Sequence, residues 1–491
     1  MQRQAILAGL SVATFAFLVR IPTLAEPRWY YDEGIFTTVA WASSKGMTLY
    51  VDVIDLQPPG IHWLSRLLLA AGAGEHHLVT QVAVSALAVG SSVLTLALAR
   101  RWMNIWPATL AGLLTGFGLS LPAFDGDLLN VDLAALPFLL ASLVLAFSSR
   151  SVIVLFSGAL MGVALIFRPS YLVDSVALLV PLLSYGRREL RLLMAGLGSV
   201  AVLAVAAGAL WLQGSLEGYL NVVAPIDDSY LLDANRGSWG PILVRLLVFG
   251  VIAAAAFVRA RSTGGRFIAL LLPASLAGST LTPKGYAHFV HEAIPPLALG
   301  LAMVASRYRL RWLSAPIAAV ALVVLGVGQM TIPELQTALM TGYPPKLARD
   351  SLGFDIGYYS NWFAYATLSK SYPEYSAWFP DVVLRRRELD QIRSVGSVPG
   401  DTLQLIGPQP WLYVESGLLP GSPYLSATDI WGRPVAKDKI LRTLRDGCAD
   451  VVVAVTDLAT WQDALSAGGY VPVDGAPWPT FQSSRPHQVC S

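Results

Sequence analysis

Residues 77–99, HLVTQVAVSALAVGSSVLTLALA, contain no Asp, Glu, Lys or Arg, and the run stops at Arg100-Arg101. As a helix, a run of this length rises about 35 Å, enough to cross a hydrocarbon core of about 30 Å. Inside hydrocarbon the backbone has no water to bond to and must satisfy its own N–H and C=O groups, so the run is read as a membrane-spanning helix. The arginine pair marks its cytoplasmic end, because basic residues are retained on that side.

The same reading extends in both directions. Similar runs lie near 5–24, 105–123, 132–148, 152–168, 170–185, 192–212, 241–258, 267–282, 288–306 and 312–332. Together with 77–99 they predict about eleven transmembrane helices. Their cytoplasmic ends carry Arg3, Arg100-Arg101, Arg150, Arg187-Arg188-Arg191, Arg259-Arg261-Arg266 and Arg307-Arg309-Arg311. One orientation accommodates every cluster, with the N-terminus cytoplasmic. The first run resembles a signal peptide but lacks a small-x-small cleavage site before Glu26, so it is read as an uncleaved span.

Composition agrees with this pattern. The 491 residues are 54% hydrophobic and 13% charged, where a soluble domain carries about 25% charged residues. The net charge is +2, and the basic residues are scattered at helix ends rather than gathered in a patch. No nucleic-acid partner is expected. Beyond 332 the charges, Pro and Gly rise and no further spanning run follows. The expected organisation is a polytopic α-helical membrane domain, 1–332, followed by a small extracytoplasmic α/β domain, 333–491, in a multi-pass protein of the cell (inner) membrane. Within the second domain, Thr402–Ile406 and Val451–Val455 read as strands, and Trp411–Glu415 and Lys439–Arg445 as helices. Cys448 and Cys490 are the only cysteines and both fall here. A disulfide in an oxidising compartment is one reading, and two separate thiols the other.

This topology places the polar residues on the outer face. The first outer loop holds Trp29-Tyr30-Tyr31-Asp32-Glu33-Gly34, then Gly46-Met47-Thr48-Leu49-Tyr50-Val51-Asp52, then Asp55-Leu56-Gln57-Pro58-Pro59-Gly60. A positioned carboxylate there is suited to accept a proton from an attacking hydroxyl, an effect worth about 10²–10⁴ in rate. A second one is suited to hold a divalent cation against a phosphate. The plainer reading makes Asp32 the cap of a helix from Glu33 to Lys45, stopped by Gly46.

The order Tyr-Asp-Glu-Gly, Gly-x-x-Leu-Tyr-x-Asp, Gln-Pro-Pro-Gly resembles the first loop of the GT-C membrane glycosyltransferases. The likeness is to the dolichyl-phosphate-mannose protein mannosyltransferases and the lipid A aminoarabinose transferases. It implies Asp32 as catalytic base with Glu33 beside it. The polyprenyl-phosphate sugar is then a co-substrate, with the reaction running either with a divalent metal or without one. Gln57 departs from the pattern, since many relatives carry a basic residue before Pro-Pro.

Three other outer clusters complete the expectation. Asp125, Asp127 and Asp132 lie between the third and fourth spans; Asp132 and Asp127, with Asp55, are candidates to support the acceptor or a metal. The alternative for Asp132 is the N-cap of the fourth span. Arg168 sits at an outer helix end against the positive-inside trend, which fits bidentate phosphate binding; the alternative is snorkelling to headgroups. Lys284, Tyr286 and His288 form a late cluster matching the basic-aromatic-His order of relatives. Arg236, in the 214–240 loop, is a further phosphate candidate. A metal pair of His288 and His291 competes with ordinary interface histidines, and Asp174 either pairs with a neighbouring helix or lines the cavity.

These regions are expected to share one extracytoplasmic pocket reached from lipid. The implied function is inverting sugar transfer from a polyprenyl-phosphate sugar donor in the membrane to an envelope glycan, lipid or protein acceptor. A transporter or flippase for a lipid-linked or anionic substrate is the rival. Against that rival, the polar groups gather on one face, whereas alternating access favours sites near the midplane. No Gly-rich nucleotide cradle is present.

Overall fold

A computed structural model describes residues 2–223, 250–251, 262–280, 287–308, 352–395, 401–426, 434–455 and 458–484. The chain divides into two compact units. The first comprises Met1–Ala25, Thr80–Ala206 and Ala234–Phe363, and the second Glu26–Val79, Ala207–Asp233 and Ala364–Ser491. The first outer loop thus belongs to the same unit as the C-terminal segment. The expected boundary at 332 lies outside the described residues, as do the span at 312–332 and nearly all of the span at 241–258.

Helices occupy the other expected positions. Gln2–Val19, Leu78–Ala99 and Arg188–Leu212 are each long and apolar enough to cross a membrane. Ile105–Gly118, Val131–Ala146, Ser151–Phe167, Tyr171–Ser184 and Ile294–Ser306 are shorter apolar helices, and Thr263–Thr280 is helical as well. Along Arg188–Leu212, Leu193, Leu197, Val200, Val205, Trp211 and Leu212 are all exposed. An apolar surface of that kind suits contact with lipid rather than water.

Within the first unit small residues allow helices to touch through their backbones, as membrane helices do where no hydrophobic drive separates protein from lipid. A Cβ added to Gly158 would stand 1.9 Å from the Ala195 carbonyl oxygen, and one on Gly198 2.1 Å from that of Leu155. Ser199 Oγ donates to the Gly158 carbonyl at 2.8 Å across the same crossing. Val12 and Ala8 pack with Leu96 in a separate cluster.

The second unit holds a five-stranded sheet ordered β2-β1-β3-β5-β4, with β1 Thr402–Ile406, β2 Leu419–Pro420, β3 Val451–Ala454, β4 Tyr470–Val473 and β5 Thr480–Ser483. β1 pairs in parallel with β2 and β3, whereas β5 is antiparallel to β3 and β4. All four residues of β3 are buried, which is why this strand reads as a continuous apolar run rather than an alternating one. The helices Pro434–Asp446 and Gln462–Gly468 supply Ile440, Leu444, Ala464 and Leu465 to the same core. Ile54 of the first outer loop joins that core, and its N–H donates to the Pro423 carbonyl at 2.7 Å. Cys448 is disulfide-bonded; Cys490 lies outside the described residues.

Candidate active site

The candidate residues fall into two clusters, one in each unit. In the first unit, Asn130 rather than Asp132 caps the helix Val131–Ala146: its Oδ1 accepts from the Leu133 N–H at 2.8 Å. Its amide donates to the Asp125 carbonyl at 3.1 Å, closing the 125–130 loop. Asp132 therefore sits in the first turn, buried, with its carboxylate against Arg168 Nη1. The hydroxyl of Tyr171 donates to the Asp132 carbonyl at 3.1 Å.

Arg168 is extended backbone just past the helix Ser151–Phe167 and is only 7% exposed. It does not snorkel. Its Nε donates to Ser170 Oγ at 2.8 Å and lies 3.5 Å from Glu292 Oε2. The guanidinium rests over the Phe289 ring, 4.7 Å from the centroid. Among the described residues Nη2 has no hydrogen-bond partner. A buried cation is tolerated here because two carboxylates compensate its desolvation, and removal of either side leaves the other charge stranded.

The rest of the cluster surrounds this pair. His288 Nδ1 lies 2.9 Å from Asp125 Oδ2. Asp127 is fully buried. Ser275 donates to Asp174, and Asp174, Glu292 and His291 are fully buried. Arg20, at the end of the first helix, donates to the carbonyls of Leu119 (2.9 Å) and Gly126 and so pins the loop carrying Asp125 and Asp127. Lys284, Tyr286 and Arg236 lie outside the described residues. Among the described residues no group of three or more His, Cys, Asp or Glu is arranged to hold a metal ion.

In the second unit the helix Tyr31–Ser44 begins after Tyr30, whose side chain makes no capping bond. Asp32 is consequently not a cap. It lies within the first turn, where the helix dipole favours a carboxylate, and Tyr30 donates its hydroxyl to Asp32 Oδ2 at 3.4 Å. The next residue turns the other way. Asp32 is partly exposed, but Glu33 is 1% exposed, with Oε1 3.4 Å from His77 Nδ1. His77 immediately precedes the helix Leu78–Ala99. Burial, then the nearby Arg28 and Arg385, push its pKa down to about 3, so the imidazole is neutral at physiological pH. Asp55 lies 3.2 Å from His62 Nε2.

This helix is seated against Pro410 and Trp411. Trp411 Nε1 donates to the Tyr30 carbonyl at 2.8 Å, and Thr38 Oγ1 to the Pro410 carbonyl at 2.9 Å. Gly34 is necessary for the approach: a Cβ there would meet Pro410 Cγ at 2.8 Å and the Trp411 ring at 3.0 Å. Arg28 crosses the Trp411 ring at 5.6 Å and donates to the carbonyls of Ala73 (3.0 Å) and Gly74 (2.6 Å). His77, Trp411, Tyr171 and Arg20 were not singled out as site residues from sequence. Arg20 carried a usable signal, being an arginine at the outer end of a span just as Arg168 is. The other three carried none.

The fold resembles that of a solved membrane-protein structure along nearly the whole chain. Superposition on ArnT from Cupriavidus metallidurans bound to undecaprenyl phosphate gives a TM-score of 0.59 at 13% identity, covering 97% of each chain. The apo state of that protein gives 0.59 at 14% identity, over 96% of this chain and 97% of the other. The Archaeoglobus fulgidus oligosaccharyltransferase tethered to an acceptor peptide gives 0.47 at 10% identity, over 97% and 74%. What is shared with ArnT at these identities is the fold. No protein-family model and no curated protein sequence matches the chain.

Proposed function

We propose that this chain is an inverting glycosyltransferase that takes a sugar from a polyprenyl-phosphate carrier at the extracytoplasmic face of the inner membrane. The acceptor is a cell-envelope glycan, lipid or protein. The observation that carries this reading is Arg168: a nearly buried guanidinium whose Nε and Nη1 are held by Ser170, Glu292 and Asp132 while Nη2 has no partner among the described residues. A fixed arginine with a donor to spare suits a phosphate oxygen, and it costs no reorganisation as charge develops there. The likeness in fold to a protein whose structure holds undecaprenyl phosphate supports a lipid-phosphate donor. The disulfide at Cys448 supports an oxidising, extracytoplasmic setting for the C-terminal segment.

In this reading Asp32 accepts the proton of the acceptor hydroxyl. The oxygen bonds to the anomeric carbon from the face opposite the phosphate. The carbon–oxygen bond to phosphate breaks, and the polyprenyl phosphate departs with the electron pair, its charge met by Arg168. Glu33, turned inward to His77, positions the first turn rather than touching substrate. No step is assigned to a metal.

The experiment is direct. Purified protein in nanodiscs receives a radiolabelled polyprenyl-phosphate sugar and a membrane-extract acceptor. Label transferred covalently to the acceptor supports the transferase. Counterflow uptake into proteoliposomes without a covalent product would replace it with the transporter reading.

A further inference from the structure

Within the second unit a cavity of about 170 Å³ opens against the helix Pro59–Ala70 and the end of Arg188–Leu212. Its polar lining includes His62, Arg66, Gln213 and Ser215, with Trp63 and Met47 among its apolar walls. None of these residues takes part in the transfer chemistry above. Ser215 Oγ and His62 Nδ1 are both buried, on residues that are 0% and 3% exposed, and neither has a hydrogen-bond partner among the described residues. A buried polar group left unpaired costs about 1–3 kcal/mol, and both residues stand in the wall of this one cavity, beside the exposed Gln213 and Arg66.

The sign of that guest follows from the lining. Arg66 is the one fixed charge among the lining residues; His62 is engaged by Asp55 at 3.2 Å behind the wall, and no carboxylate is itself a lining residue. Arg66 is exposed and forms no ion pair among the described residues. The flanks supply the second property. Leu67 follows Arg66 and Trp211-Leu212 precede Gln213; all three are exposed, and Leu212 ends an apolar helix of 25 residues long enough to span a membrane. A cationic, hydrogen-bonding recess at the end of a span, edged by apolar side chains, matches an amphiphile with an anionic head. The volume exceeds several waters at about 30 Å³ each, which leaves room for more than a bare phosphate.

We infer that this cavity binds the phosphate headgroup of an anionic lipid. Arg66 takes the phosphate, Gln213 hydrogen-bonds its oxygens, Ser215 and His62 form the polar wall behind them, and the acyl chains lie along Leu67, Trp211 and Leu212.

The test is binding of dihexanoyl phosphatidic acid to the purified full-length protein, compared with dihexanoylglycerol and with inorganic phosphate. Saturable binding of the phosphatidic acid is expected, at least about tenfold tighter than inorganic phosphate, because the headgroup contacts and the apolar flank both contribute. Arg66→Gln should weaken it by about tenfold or more, and Met47→Trp, which fills the cavity without changing charge, should abolish it. Unaltered affinity in both variants would overturn the proposal. So would dihexanoylglycerol binding equally well, or inorganic phosphate binding as tightly as the lipid, the latter marking a free-phosphate site. The assay involves no turnover, so its failure leaves the transferase reading standing.

Discussion

The indole N–H of Trp411 donates to the carbonyl oxygen of Tyr30 at 2.8 Å, joining positions 381 residues apart in sequence. Tyr30 precedes the helix that carries Asp32, so the C-terminal segment fixes where that helix starts. Trp411→Phe keeps the ring and removes the donor, and the loss of one such bond costs about 1 kcal/mol. A small fall in Tm is expected. A larger fall in kcat, with the KM for donor unchanged, is the sign of a displaced Asp32 rather than of a weakened fold. Steady-state transfer kinetics separate the two.

Gly34→Ala addresses the same contact from the other side. Its methyl would have to displace Pro410 and the Trp411 ring, and overpacking of this kind costs about 1–3 kcal/mol. Thermal unfolding should show the loss, and Trp411→Ala in the same chain should relieve part of it. Additive losses would mean that the two residues do not press on one another.

Arg168 carries both a structural and a proposed chemical role, and a double substitution separates them. Arg168→Gln alone leaves Asp132 buried without its counter-charge, which costs about 3–5 kcal/mol. Pairing it with Asp132→Asn removes one of the two carboxylates that Arg168 compensates and should restore part of the Tm yet leave transfer abolished. Recovery of activity along with stability would show that Arg168 serves the fold only.

The pH dependence of stability contains a term from His77. Its folded pKa, about 3, lies below the ordinary 6.5. Above pH 6.5 both folded and unfolded forms are neutral and the group contributes no slope. Between about pH 6.5 and 3 only the unfolded chain binds the proton, so native stability falls as pH falls, by at most about 1.4 kcal/mol per pH unit for this one group. The Tm-against-pH profile of the wild type should therefore drop more steeply below pH 6.5 than that of His77→Gln. Parallel profiles would contradict a buried neutral imidazole.

The long apolar helices are legible in sequence because such a run is set by length and apolarity alone, as at 78–99. β1 and β3 were legible because short apolar runs bounded by Gly, Pro or Asp admit few other structures. Partners were not. Asp132 has the composition of an N-cap, but Asn130 two residues earlier takes that place, which frees the Asp132 carboxylate for Arg168. Asp32 looked like a cap for the same reason and lies instead inside the first turn. Arg168 was read either as a phosphate ligand or as a snorkelling chain, and its burial beneath Asp132 and Glu292 depends on contacts from three separate helices or turns. The grouping of the first outer loop with the C-terminal sheet, through Ile54 and Trp411, has no local signature at all.

The most direct measurement is transfer by Asp32→Asn beside Glu33→Gln, in protein whose Tm shows it folded. The account predicts that Asp32→Asn loses about two or more orders of magnitude in kcat while still binding the polyprenyl-phosphate sugar. Glu33→Gln should lower stability and lose less activity. Undiminished turnover in Asp32→Asn would remove this carboxylate as the base and contradict the mechanism.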